Sequence, residues 1–199
     1  TLPLADVDAR AGRLRFEGAG SALQVDGTVV AREGDVVFVA PDLRVGADAL
    51  VRSQGSTLLA AGRKVELTGR GLEGIRLEVQ APGDRALNLG RIEGDAVGIF
   101  AGTLRHSGAV QAQAASQEGG RVVLHAQGDT LVDGTVVARN GGRGGQVDVL
   151  GARVGLLAGA HGGGLDAFLE VGRATKPLLL HQLALGRGFH SVGEAAAHG

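Results

Sequence analysis

One octapeptide occurs twice in this chain without a single change. Val25-Asp26-Gly27-Thr28-Val29-Val30-Ala31-Arg32 returns as Val132-Asp133-Gly134-Thr135-Val136-Val137-Ala138-Arg139, 107 residues later. A repeat architecture is the first reading of such self-similarity, and any repeat unit should divide that offset. A second series supplies the unit. Short apolar segments start at Leu14, Val36, Thr57, Ile75, Val97, Val122, Val147 and Ala167, most of them shortly after a glycine such as Gly12, Gly34, Gly55, Gly74, Gly120 or Gly145. Their spacing averages close to 22 residues, and five such units span the offset between the octapeptides.

Between these anchors lie further short strand-like stretches, at 22–25, 28–31, 42–45, 64–67, 86–89, 130–132 and 153–157. Asp-Gly, Gly-Asp and Pro-Gly steps separate them, which is turn chemistry. About three short strands per unit describe one coil of a parallel β-helix, with coils stacked at the sheet spacing of about 4.8 Å. An antiparallel sandwich or barrel is the alternative, but hairpins do not explain a regular translation. The fold expected is all-β, a β-solenoid over residues 1–172, with a non-repeat tail or cap at 173–199. Seven to eight coils are expected over residues 12–172. The octapeptides should lie on one face, five coils apart, with Val29 and Val136 equivalently oriented.

Composition agrees. The chain has 36 glycines in 199 residues, and aromatics make up only 3% against 44% hydrophobic residues, so burial must come from Val, Leu, Ile and Ala. With only Asn88 and Asn140 available, an interior asparagine ladder is excluded. Twenty basic residues balance twenty-one acidic ones, leaving no electrostatic footprint for nucleic acid or an anionic membrane. The lack of cysteine removes disulfides, a thiol nucleophile and thiolate-bound zinc. No segment is long enough to span a bilayer, and no secretory leader opens the chain. The reading is of a processed chain or a piece of a longer one, whose first coil exposes strand edges and promotes self-association.

Several motifs suggest chemistry and fall short of it. Gly69-Arg70-Gly71-Leu72-Glu73-Gly74 has dinucleotide spacing, but a strand follows where a helix start is needed. Gly141-Gly142-Arg143-Gly144-Gly145-Gln146-Val147 approaches a calcium nonapeptide, yet Gln146 replaces the required Asp. Phe189-His190-Ser191-Val192-Gly193 has Phe where a nucleophile elbow needs Gly. The six histidines, His106, His125, His161, His181, His190 and His198, show no metal-ligand spacing and are expected on the surface. Asp26 and Asp133 lie too many coils apart to act together, while Asp129 and Asp133 lie beside glycines, where Asp serves the backbone locally. No catalytic, cofactor-binding or metal residue is therefore assigned, and no Arg-Gly-Asp occurs.

From Gly34 to Leu157 the chain resembles the filamentous haemagglutinin family of exoproteins exported by two-partner secretion. The phrases that carry the resemblance include Gly34-Asp35-Val36-Val37-Phe38-Val39-Ala40-Pro41, Leu58-Leu59-Ala60-Ala61-Gly62-Arg63-Lys64-Val65-Glu66-Leu67, Ala86-Leu87-Asn88-Leu89-Gly90, Ser107-Gly108-Ala109-Val110-Gln111-Ala112 and Glu118-Gly119-Gly120-Arg121-Val122-Val123-Leu124. The resemblance implies a right-handed β-helix, a secreted or cell-surface location, and adhesion to a host-cell or bacterial surface glycan or protein. It brings no catalytic residues. The family's secretion domain carries Asn-Pro-Asn motifs for its outer-membrane transporter, and none occurs here. The expectation is thus a structural and adhesive passenger segment. The alternative is a carbohydrate-active β-helix enzyme, a polysaccharide lyase or hydrolase, which needs a carboxylate-lined groove across neighbouring coils.

Overall fold

A computed structural model describes residues 4–8, 12–68, 72, 75–78, 84–114, 120–140, 143–163, 167–171 and 189–191. The described strands fall into repeating triplets. The first coil holds β3 (Leu23–Val25), β4 (Thr28–Ala31) and β5 (Val36–Ala40); the second holds β6 (Asp42–Val45), β7 (Leu50–Ser53) and β8 (Ser56–Ala61). The third has β11 (Arg85–Asn88), β12 (Arg91–Gly94) and β13 (Ala96–Ala101), and the fourth has β14 (Thr103–His106), β15 (Ala109–Ala114) and β16 (Arg121–Ala126). The fifth comprises β17 (Asp129–Val132), β18 (Thr135–Asn140) and β20 (Gln146–Leu150), with the short β19 (Arg143–Gly144) antiparallel to β18. The sixth comprises β21 (Arg153–Leu156), β22 (His161–Gly163) and β23 (Ala167–Val171).

Strands of equal rank pair in parallel from coil to coil, giving three faces. Face one runs β3-β6-β11-β14-β17-β21, face two β4-β7-β12-β15-β18-β22, and face three β5-β8-β13-β16-β20-β23. β24 (Phe189–Ser191), from the segment expected outside the repeat, continues face three beyond β23. The chain is all-β, and its parallel sheets are stacked as in a β-solenoid.

Alternation fixes what points inward. On face one, β6, β14 and β17 all read half-buried, buried, exposed, buried. Inward residues stack in columns: Val29, Val51, Ile92, Val110 and Val136 on face two, and Phe38, Leu59, Ile99, Leu124 and Val149 on face three. They form one core rich in Val, Ile, Leu and Ala. In the first coil the inward Leu23, Val25 and Val29 are only half-buried, because no described coil lies beneath them.

Part of face three is buried on both sides; every residue of β8 is buried, whereas Val37 and His125 on its outer side stay exposed. The cause is a four-stranded antiparallel sheet, β1 (Leu4–Asp8), β2 (Arg13–Glu17), β9 (Lys64–Thr68) and β10 (Ile75–Glu78), in the order β1-β2-β9-β10. Val65 of β9 joins Val39 and Ala60, which point out of face three, in a second small core with Phe16 and Leu67. The chain leaves the stack after Ala61, where Gly62 still donates to the Ala40 carbonyl (3.1 Å), and returns at Arg85, which donates to the Pro41 carbonyl (3.1 Å). Asp84, buried at this neck, accepts from Arg63 Nε at 3.5 Å.

Two expectations are corrected here. The segments beginning at Leu14 and Ile75 belong to β2 and β10, outside the coils. The octapeptides also lie four coils apart rather than five. The excursion over residues 62–84 is as long as a coil, so residue arithmetic counts it as one, although it adds a hairpin to the antiparallel sheet. Val29 and Val136 do share one inward column, as the duplication implies. The described coils number six, each with three strands.

The corner between faces one and two shows why glycine is required at particular positions. Gly90, Gly108 and Gly134 sit above one another there, and the next coil's amide bonds each carbonyl: Ala109 N to Gly90 O and Thr135 N to Gly108 O, both at 2.9 Å. A Cβ on Gly108 would overlap the Gly90 carbonyl oxygen and lie 2.5 Å from the Leu89 carbonyl carbon.

Candidate functional site

The octapeptide aspartates have structural surroundings. Asp133 Oδ1 accepts from the Gly159 amide of the coil above at 2.9 Å, and Asp26 accepts from Gln24 Nε2 at 2.6 Å. Four coils separate these aspartates, about 19 Å along the stack. Asp129 forms a two-pronged pair with Arg153, both bonds at 2.6 Å, on the exposed surface of face one. Asp26 and Asp133 are thus not neighbours, while Asp129 is engaged by Arg153 and Asp133 by the Gly159 amide.

Of the glycine-rich motif at 69–74, only Leu72 lies within the described residues. In the calcium-like motif, Gln146 donates to Asp148 Oδ1 at 2.8 Å, and Asp148 takes two bonds from Arg121 at 2.7 and 2.9 Å. Asp148 is thereby committed to its neighbours. Phe189–Ser191 of the elbow-like motif forms β24, and the two residues that complete the motif lie outside the described residues. Among the described residues, no group of three or more His, Asp or Glu is placed to hold a metal.

His161 is exposed, as expected, and bonds the Gly159 carbonyl through Nδ1 at 2.6 Å. His181 and His198 lie outside the described residues, and His190 falls in β24. His125 faces outward from face three, edge-on to Phe100 with ring centroids 6.2 Å apart. Burial pushes its imidazole below the usual histidine range.

His106 departs from the surface expectation altogether. It is the inward residue at the end of β14, with 0% exposure, directly above Asn88 of β11. Asn88 Oδ1 accepts from the Gly90 amide at 3.1 Å, so its Nδ2 is the donor toward His106 Nδ1, also at 3.1 Å. His106 Nε2 must then carry the proton and donate to the Thr135 carbonyl, at 3.1 Å. Burial lowers the tendency of His106 to ionise, and the bond to Thr135 partly offsets that. The signal was present in Thr103-Leu104-Arg105-His106, where an inward Leu104 puts His106 inward by parity.

The outer surface of face two carries a constellation that spans several coils and is open to solvent. Register brings Arg52, Glu93 and Gln111 into one outward column on β7, β12 and β15. With Ser53, Gln54, Gly94, Asp95 and Gln113 they line a cleft of about 400 Å³. The side chains are wired to one another across the coils. Arg52 Nε donates to Glu93 Oε2 at 2.5 Å, and Arg91 Nε donates to Glu93 Oε1. Arg91 Nη2 reaches Gln111 Oε1 at 3.2 Å, and Gln111 Nε2 donates to Gln113 Oε1 at 3.0 Å.

The floor is equally fixed. Thr57 Oγ1 lies 2.9 Å from the Glu93 carbonyl and 2.9 Å from Ser53 Oγ, which lies 2.8 Å from the Gly55 carbonyl, so the two hydroxyl hydrogens serve two of these three contacts at a time. Electrostatics divide the two carboxylates. Burial pushes the Glu93 carboxyl upward, but hydrogen bonds from Arg52 and Arg91, with their charges, outweigh it and hold the group below its ordinary value. The Asp95 carboxyl is raised, first by burial and then by the neighbouring charge of Asp35. None of these residues stood out in the sequence, since Arg52 and Glu93 are 41 positions apart.

No protein-family model matches this chain, and no curated protein or solved structure matches it either.

Proposed function

We propose that this chain is a structural and adhesive passenger segment of a secreted or surface-exposed bacterial exoprotein of the filamentous haemagglutinin type. Its parallel coils, right-handed as crossover connections are in about 98% of cases, hold an outward polar surface rigid. A repeat of about 22 residues belongs to this reading; outside the excursion at 62–84 the register offsets run from 18 residues, Ile92 to Val110, to 26, Val110 to Val136. The observation that supports the reading best is the cleft on face two. Its side chains are held by one another across three coils, an arrangement suited to recognition by a fixed surface rather than to turnover. Adhesive contact of this kind is weak at each site and gains strength through many copies. Export through an outer-membrane transporter would rest on a secretion domain carrying Asn-Pro-Asn, a motif that this sequence does not contain.

Beads coated with the chain, tested for retention on host epithelial cells and on bacterial cells, check the reading. Retention above that of albumin-coated beads, and competed by free chain, is the expected result. Retention equal to albumin on every surface would overturn it.

A second reading, a carbohydrate-active enzyme, draws on Glu93 and Asp95, two carboxyls of one cleft pushed in opposite directions. Against it, both Glu93 oxygens are engaged by guanidinium groups, which weakens the carboxylate as a base. Release of reducing sugar from plant or bacterial polysaccharides, lost in Asp95→Asn, would favour the enzyme.

A further inference from the structure

The unused hydrogen-bonding capacity of the cleft defines its ligand. Each Glu93 oxygen already accepts one guanidinium bond, and Gln111 Oε1 and Gln113 Oε1 each accept one bond from a neighbour, so half of their acceptor capacity is spent within the cleft. What remains for a ligand is chiefly a set of donors, the terminal nitrogens of the exposed Arg52, a second hydrogen on Gln111 Nε2 and both hydrogens of Gln113 Nε2, with the exposed Gln54 amide able both to give and to accept. Beside them in the lining is the half-buried carboxyl of Asp95, the carboxylate of the cleft that no guanidinium engages.

Donors and an acceptor set side by side match groups that both give and accept, and hydroxyls do so on one atom. Charge points the same way. Arg52 and Arg91 are offset by Glu93 and Asp95, with Asp35 adding a further negative charge beside Asp95, so the cleft gains little from a strongly anionic ligand. Its length is set by the stack: from the second coil to the fourth is about 10 Å, the scale of a disaccharide unit running along the axis. The hydrogen-bonded floor and walls keep the geometry in place before binding, so little order is lost on contact.

We infer that the cleft formed by Arg52, Asp95, Gln111 and Gln113 binds a short stretch of an uncharged, hydroxyl-rich glycan laid parallel to the coil axis. The inference rests on the adhesive reading and specifies the chemistry of one adhesive surface. With no aromatic ring in the cleft lining, affinity per site is low, with a Kd of about 1 mM.

The test uses the intact 199-residue chain and side-chain amide NMR. It is titrated with cello-oligosaccharides of increasing length and, separately, with oligogalacturonates as the anionic counterpart. Expected are saturable shifts of the Gln111 and Gln113 amides with the neutral series, stronger for longer oligomers until the cleft is filled. Asp95→Ala should weaken binding about tenfold and Gln113→Ala about threefold, from the loss of a charged and a neutral hydrogen bond. Arg153→Ala, on face one with its side chain 81% exposed, should leave binding unchanged. Absence of saturable shifts overturns the inference, as does equal or tighter binding of oligogalacturonates. So does wild-type affinity in both cleft variants with an unchanged amide spectrum elsewhere. The bead assay is run beside it: cells retained equally by Asp95→Ala would leave the adhesive reading standing and remove this one. Oligosaccharide binding without retention on any cell would do the reverse.

Discussion

Gly108→Ala tests whether the corner between faces one and two is limited by backbone contact. Its Cβ would be flanked by backbone on the coil below, overlapping the Gly90 carbonyl and lying 2.5 Å from the Leu89 carbonyl carbon. No side chain is there to swing aside. The third and fourth coils must separate locally, which stretches the bonds from Ala109 N to Gly90 O (2.9 Å) and from Gly108 N to Asn88 O (3.1 Å). Overpacking of this kind costs about 1–3 kcal/mol, and one weakened buried hydrogen bond adds about 1 kcal/mol. The reduced freedom of the unfolded chain returns about 0.4–1 kcal/mol. The net expectation is a loss of about 1–3.5 kcal/mol. Gly27, at the matching corner of the first coil, has nothing within 4 Å of a built Cβ. Gly27→Ala should therefore be neutral, or stabilising by up to about 1 kcal/mol. Urea unfolding followed by circular dichroism, with slopes compared to confirm that the same surface is exposed, measures both. Equal midpoints for the two variants would refute the claim that stacked backbone dictates glycine at this corner.

Acid should weaken the fold through His106: the unfolded chain takes up a proton near pH 6.5, whereas the buried ring resists it to lower pH. Stability is thus complete above that range and declines as pH falls from about 6.5 toward the lowered folded value, below which the slope ends; His106→Leu should flatten this part of a urea-midpoint profile, and an unchanged slope would sink the assignment. The duplicated octapeptide supplies its own control, since Val136 is 5% exposed while Val29 is half-buried at the open first coil. Val136→Ala should cost about 2 kcal/mol and Val29→Ala less than about 1 kcal/mol, with equal costs in thermal and urea melts counting against the column packing. Asp133→Ala, which leaves the Gly159 amide without its acceptor, should cost about 1 kcal/mol. Arg153→Ala, by contrast, removes only a solvent-exposed partner of Asp129 and should not move the unfolding midpoint measurably.

Much of the architecture follows from the chain's own order of residues. Small apolar strands punctuated by Gly and Asp-Gly steps can bury one side only by stacking, and the repeated octapeptide places Val29 and Val136 in one column because identical local sequence meets the same corner twice. Alternation inside a strand was equally readable: it sends Leu104 and His106 inward together, against the general habit of histidine to stay at the surface. What the sequence could not supply was the choice of partner. Strands such as Arg13–Glu17 and Ile75–Glu78 have the same local character whether their neighbours run parallel or antiparallel, and only pairing across the chain assigned them to the covering sheet. The excursion at 62–84 hid for the same reason, being coil-like in length and in apolar content. The cleft lay deeper still. Arg52, Glu93 and Gln111 come from three coils, and their adjacency exists only in the hydrogen-bonded register that joins β7, β12 and β15. A strand's sequence determines which side chains point outward, but the register with its neighbours, a property of the folded stack alone, determines which of them touch.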